Sequence, residues 1–229
     1  CRSFVGLFPL PLRHGLTIGE VARWLVLGGL DCQVEVTAMA GYEPRGYFDS
    51  TGLPWVMPSP NMPSLDTALV YPGQVLFEGT NLSEGRGTTR PFEIFGAPFI
   101  DPFGLAQRMA AFDLDGVVFR PIYFEPTFHK FSGQLCGGLF LHVVDRAAFK
   151  PYKTSLALLQ AVFQLWPDQT VFKGPPYEYE YERRPIDLIL GRQGLADQVA
   201  QGRDLGLLTA EWAGELAQFS EACVDCHLY

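Results

Sequence analysis

Hydrophobic positions recur along this chain at two spacings, and the switches between them mark its elements. FVGLFPLPL at residues 4–12 is almost wholly apolar and predicts a buried strand, with Pro9 and Pro11 placing it at a sheet edge or strand end. RHG at 13–15 reads as a turn. Thr17 is then a good N-cap, and Glu20 at the third helical position completes a capping box. Ile18, Val21, Ala22 and Leu25 give that helix an apolar face, and Gly28 and Gly29 end it. CQVEVTAM at 32–39 alternates as a strand does. A strand–helix–strand unit normally belongs to a parallel sheet with more strands than two, so residues 1–45 read as a remnant of an α/β domain.

The periodicity then lapses. Residues 41–63 are rich in Gly, Pro, Tyr and Trp, a length of loop that usually crosses between domains or carries function. We place a linker at 46–60 and a second domain at 61–229. Ser64 caps a short helix to Tyr71, stopped by Pro72 and Gly73, and QVLFEGT reads as a strand. FEIFGAPFI is extended, and Asp101 caps a helix that has Pro102 at its favoured first position. Residues 117–128 predict one strand or two, broken by Pro121 and Pro126. Residues 133–145 predict another, with Gly137 and Gly138 marking a bulge or close backbone approach. Thr154 is the expected cap of a helix ending before Pro167; YEYEYE alternates but is strongly acidic, and three helical stretches follow. Strands and helices without regular alternation make the second part α+β, and the chain as a whole mixed α/β.

Composition narrows the class. With 48% hydrophobic, 14% aromatic and 18% charged residues, the 229-residue chain is globular and long enough for a sizeable core. A formal charge of −8 argues against a nucleic-acid partner. No apolar run approaches a membrane span; VARWLVLGGL is interrupted by Arg23 and two glycines. The opening on Cys1 without an initiator Met suggests a fragment or a processed form. Cys223, Cys226 and His227 form CVDCH, which invites a metal or haem, but a zinc site wants four ligands and no second paired motif exists. A helix-end pair of thiols is the simpler reading, and no metal or cofactor is expected.

Candidate chemistry concentrates in EGTNLSEGRGTTRPFE at 78–93, a polar, glycine-jointed segment between two apolar runs. Walker, GxGxxG, GxSxG and HExxH motifs are absent, which leaves carboxylates. Glycoside hydrolysis uses a pair of them, one as acid and the other as base, nucleophile or stabiliser. Glu78 has Arg86 and Arg90 as available partners, favouring a structural role. Glu84 stays open: facing a cleft it suits proton donation, whereas paired tightly with Arg86 it is structural. His14 sits in a strand-to-helix turn, a usual site position in α/β sheets, although a plain turn histidine fits the letters somewhat better. His129 lies in a loop able to border the same cleft, and His142 is most simply a strand histidine. Trp55, Tyr71, Tyr123 and Phe124 offer sugar-stacking faces, or core.

Several long blocks carry a family resemblance. PLPLRHGLTIGE, SPNMPSLDTALVYPG, FEGTNLSEGRGTTRPFEIFGAPFID and FRPIYFEPTFHKFSGQLCGG, in that order, resemble the signature blocks of the NamZ-type exo-β-N-acetylmuramidases. The similarity runs through YEYEYERRPIDLILG to Tyr229. It implies a peptidoglycan glycosidase releasing N-acetylmuramic acid from non-reducing ends of fragments such as MurNAc-GlcNAc, in a secreted, periplasmic or envelope setting. It also implies an N-terminal Rossmann-like domain, a C-terminal α+β domain and an active cleft between them. Family members carry further residues before the point matching Cys1, among them a Glu-His-Gly block whose glutamate is the favoured acid; that block does not occur here. Carried over by position, Glu84 and His14 become catalytic candidates, and Asn81, Arg86, Thr88 and Tyr123 become sugar-binding ones. The competing classes are a non-catalytic carbohydrate-binding module and a structural subunit.

Overall fold

The computed structural model describes residues 2–229. Contacts divide the chain into two compact units. One comprises the residues up to Phe8 with Trp55–Leu207; the other comprises Pro9–Pro54 with Leu208–Tyr229.

The larger unit is an α+β fold around a three-stranded antiparallel sheet. β1 (Ile94–Ala97), β2 (Val117–Phe124) and β3 (Cys136–Val143) are ordered β1-β3-β2. β3 is central, with Leu139 and Leu141 buried. β2 is an edge, which is why Pro121 is tolerated in mid-strand opposite Leu139. The glycine pair in β3 is a close approach and not a bulge: the register with β2 runs unbroken from Val117 to Phe124. A Cβ on Gly138 would lie 1.9 Å from the Phe95 carbonyl oxygen. His142 is the strand histidine expected, opposite Val118.

Helices α2 (Leu65–Gln74), α3 (Pro102–Met109) and α4 (Pro151–Leu165) pack with the sheet and one another. α4 is buried from Pro151 to Val162 except at Tyr152 and Lys153. Its start differs from expectation. Pro151 occupies the first turn, so Thr154 lies inside the helix and caps nothing. Asp101 caps α3 as anticipated, accepting from the backbone N–H of Phe103 at 3.1 Å and Gly104 at 3.0 Å.

Ser64 caps α2, but the helix passes through Pro72 and Gly73 and continues as a 3₁₀ turn at Val75–Gly79. The expected strand over QVLFEGT is therefore absent. Its apolar residues are buried all round, as Phe77 shows at 0% exposure, and buried helix and strand look alike in so short a run. Short helices α5 (Pro185–Leu190) and α6 (Leu195–Ala200) complete this unit's packing, with α5 against the 3₁₀ turn.

The smaller unit holds α1 (Ile18–Leu27) and α8 (Ala213–Ala222). Between the two in chain order, α7 (Leu205–Ala210) covers the point where the division falls. The capping box of α1 forms in full: Glu20 N–H donates to Thr17 Oγ1, and Thr17 N–H donates to Glu20 Oε2 at 2.7 Å. The two strands expected to flank α1 do not form. Residues 32–39 make no ladder, and among the described residues the only pairing near 4–12 is an isolated bridge from Ser3 to Gly6. Strands need neighbours to satisfy their backbone groups, and no described residue supplies one here. The thiols of Cys223 and Cys226 are buried beside Leu16, Val21, Trp24 and Phe219. Burial and the neighbouring Cys226 push the Cys223 thiol up to about 11. The pair thus behaves as small apolar side chains. No group of three ligating side chains able to hold a metal occurs among the described residues.

Candidate functional site

The polar segment 78–93 folds around one carboxylate. Glu84 is completely buried and is met by the cationic side chains of Arg86 and Lys130 and by the His129 imidazole. Lys130 Nζ donates to Glu84 Oε2 at 2.7 Å, and also to the carbonyls of Phe77 at 2.7 Å and Leu82 at 2.8 Å. All three ammonium protons are used. Glu84 Oε1 lies 3.2 Å from Arg86 Nε and 3.4 Å from His129 Nδ1, yet neither donor is aligned for a hydrogen bond. Burial by itself would raise the Glu84 carboxyl; His129 and Lys130 overcome it and hold the group at about 2. Burial pulls the Lys130 ammonium below its ordinary range, with Glu84 opposing.

A second carboxylate extends the cluster outward. Arg86 Nη2 donates to Glu78 Oε1 at 2.5 Å, and the Tyr177 hydroxyl donates to Glu78 Oε2 at 2.9 Å. Burial and Glu78 raise the Tyr177 phenol. Arg86 also stands over the Phe92 ring at 5.0 Å, which itself meets Tyr71 edge-on. Glu93 closes the far side, accepting from Thr67 Oγ1 at 2.6 Å.

Backbone shape makes these contacts possible. Gly85 and Gly87 both take left-handed conformations, turning the chain so that Phe92 N–H reaches the Glu84 carbonyl at 2.6 Å. At Gly87 a Cβ would come within 2.5 Å of the Phe128 carbonyl oxygen. Thr127 fastens the facing loop, its N–H and Oγ1 each donating to the Gly87 carbonyl at 2.9 Å. His129 and Phe131, on either side of the buried Lys130, have φ of 69° and 57°.

The structure thus joins Glu84, Arg86, His129 and Glu78, with Tyr71 against Phe92, and places Asn81, Thr88, Tyr123 and His14 outside these contacts. Asn81 is committed to backbone: Nδ2 donates to the Gln169 carbonyl at 2.8 Å, and Oδ1 accepts from Val171 N–H at 3.0 Å. Thr88 Oγ1 donates to the Gly85 carbonyl at 2.7 Å and accepts from Arg90 N–H. Tyr123 stands on β2 opposite Gly137, 59% exposed. His14 belongs to the smaller unit, where Nδ1 accepts from Leu16 N–H at 3.0 Å. Glu78 has the Arg86 pairing expected of it. Lys130 and Tyr177 were not singled out from the sequence. A lysine between Phe128 and Phe131 is a weak signal of burial, and Tyr177 opens a segment too acidic to read as core.

Comparison with known proteins matches residues 69–229 to the family model for the C-terminal domain of exo-β-N-acetylmuramidase NamZ, and residues 1–66 to its N-terminal counterpart. The chain is 39% identical over 220 residues to peptidoglycan β-N-acetylmuramidase NamZ of Bacillus subtilis, covering 96% of this chain and 51% of that protein. Two crystal structures of DUF1343 family proteins from Bacteroides fragilis share the fold. One superposes with a TM-score of 0.87 at 26% identity, and the other with 0.70 at 23%. They match 99% and 100% of this chain and 59% of their own lengths. The chain therefore spans between half and three-fifths of the relatives it matches, and it belongs to the NamZ exo-β-N-acetylmuramidase family.

Proposed function

We propose that this chain supplies the C-terminal half of a peptidoglycan glycosidase that releases N-acetylmuramic acid from non-reducing ends of cell-wall fragments. One observation carries the reading beyond family membership: the most polar block shared with the family encloses a buried, ionised carboxylate, and the arginine and histidine beside it remain partly exposed. At about 2, Glu84 keeps no proton to donate near neutral pH. Its proposed role is therefore a fixed negative charge that orients Arg86 and His129 toward the sugar, with Tyr123 as an exposed aromatic face. The proton for the leaving oxygen comes from a carboxylic acid outside this chain. Asn81 and Thr88 act on the shape of the loop, since their polar atoms are engaged with backbone. His14 contributes from the N-terminal family domain.

In the full-length protein that carries this chain, MurNAc-GlcNAc should be split to free N-acetylmuramic acid, measured by chromatography of the products. Glu84→Gln should lower kcat/KM by about 100-fold or more, the scale of losing a preorganised electrostatic group. Binding of the disaccharide with no turnover in the unsubstituted protein would favour a carbohydrate-binding module instead.

A further inference from the structure

His129 is unusual within the cluster. Its side chain is 44% exposed although it contacts a carboxylate that is wholly buried. Nδ1 faces Glu84, which leaves Nε2 on the ring edge away from that carboxylate. The backbone is left-handed at this residue, a conformation that an ordinary side chain adopts only at a cost. The cost is met by its surroundings: Lys130 is anchored by three acceptors, and Thr127 is tied to Gly87. Such outliers gather where a side chain must be aimed.

A second observation points the same way. Glu84 Oε1 is buried with no aligned donor, although Lys130 satisfies Oε2 of the same group. A buried carboxylate oxygen without a hydrogen bond is costly; Arg86 Nε lies nearer, at 3.2 Å, and His129 Nδ1–H, at 3.4 Å, is the donor that a short ring movement would align. Catalytic hydrogen bonds are commonly long before substrate binds and tighten afterwards. Arg86 cannot take that place freely, because Glu78 already holds its Nη2.

We infer that Glu84 and His129 form a carboxylate–imidazole dyad in which His129 is a catalytic residue, taking the proton of the attacking water at Nε2. This rests on the glycosidase reading above. As the water oxygen bonds to the anomeric carbon, the bond from that carbon to the glycosidic oxygen breaks. The departing oxygen receives a proton from the carboxylic acid supplied outside this chain. The water proton passes to Nε2, and the resulting imidazolium is stabilised through Nδ1–H by the Glu84 carboxylate. Release of that proton to solvent and reprotonation of the acid restore the starting state. Glu84 is the positioning residue of the pair; it fixes which ring nitrogen carries hydrogen and never meets the sugar.

The left-handed backbone offers a clean test, since glycine is at ease there and His129→Gly removes the imidazole with little disturbance to the loop. In the full-length protein with MurNAc-GlcNAc as substrate, His129→Gly should lower kcat about 100-fold to 10,000-fold, the usual worth of a proton acceptor, with a much smaller change in KM. Added imidazole should restore part of the rate in proportion to its concentration. His129→Asn, which tolerates the same backbone and still offers a donor toward Glu84, should be as slow as His129→Gly. Retention of activity within a few-fold by either variant would overturn the inference. So would a folded, inactive His129→Gly protein that imidazole does not revive. If the unsubstituted protein releases no N-acetylmuramic acid, the glycosidase reading itself fails, and that outcome is distinct from the other two.

Discussion

Two of the buried glutamates, Glu20 and Glu84, are accommodated in opposite ways. Glu20, in the smaller unit, is 3% exposed and is hydrogen-bonded mainly by backbone, by Thr17 N–H at 2.7 Å and Leu228 N–H at 2.8 Å, with His227 Nδ1 farther off at 3.6 Å. Glu84, in the larger unit, is 0% exposed and lives among side chains, those of Arg86, Lys130 and His129. Burial would raise both carboxyls, and both are held below their usual value instead, Glu20 chiefly by those backbone bonds and Glu84 by His129 and Lys130. A carboxylate fed mainly by backbone N–H groups first of all fixes chain geometry. One fed by long side chains organises those side chains, and their far ends remain available to a ligand. Burial and ionisation alone do not separate a structural carboxylate from a site carboxylate; the nature of the donors does.

The contrast can be broken most forcefully at Lys130. Lys130→Met leaves Glu84 buried without its closest cation and should cost about 3–5 kcal/mol in urea unfolding of the larger unit. Restoring neutrality with Glu84→Gln in the same protein should recover part of that loss. A cost below about 1 kcal/mol for Lys130→Met would mean that the cluster is not held by charge.

Acid should distinguish the two carboxylates next. Glu84 has a folded value near 2 against an ordinary 4.5, so its stabilisation is complete above about 4.5 and is lost as pH falls toward 2. A shift of that size is worth about 3 kcal/mol. Unfolding free energies measured from pH 6 to pH 2.5 should fall steeply, and Glu84→Gln should flatten the slope.

Gly87→Ala sharpens the geometric side of the comparison. It sets a Cβ 2.5 Å from the Phe128 carbonyl oxygen at a φ of 85°. A loss of roughly 1–3 kcal/mol is expected, together with weakened activity as the 127–131 loop is pushed away. The smallest effect belongs to Glu20→Gln, which still accepts from backbone N–H groups. About 1 kcal/mol in thermal unfolding of the smaller unit should suffice, with little change in the turnover of MurNAc-GlcNAc.

Local signals in the sequence proved dependable where they were self-contained. The Thr17–Glu20 capping box, the Asp101 cap with Pro102 and the end of α4 before Pro167 all rest on neighbours within a few residues. The family blocks likewise pointed to the right relatives. Strands around α1 failed because pairing depends on partners far along the chain, which alternation cannot supply. QVLFEGT failed because a run buried on every side carries no period to read. In the site, Glu84 and Arg86 were visible as a dense polar motif. Lys130 and Tyr177 were not, because they reach the cluster across 46 and 99 residues, and only the folded chain shows which lysine fills a carboxylate's surroundings.

Pro121 has a consequence for the molecule in solution. β2 is an eight-residue edge, long enough to accept an added strand from another copy, whereas β1 is shorter and carries the Ser83–Gly96 bridge on its open side. A proline in the middle of β2 has no N–H to offer an incoming strand. Pro121 therefore leaves a gap in the row of donors that this edge presents, which makes β2 a poorer template for pairing with a second copy.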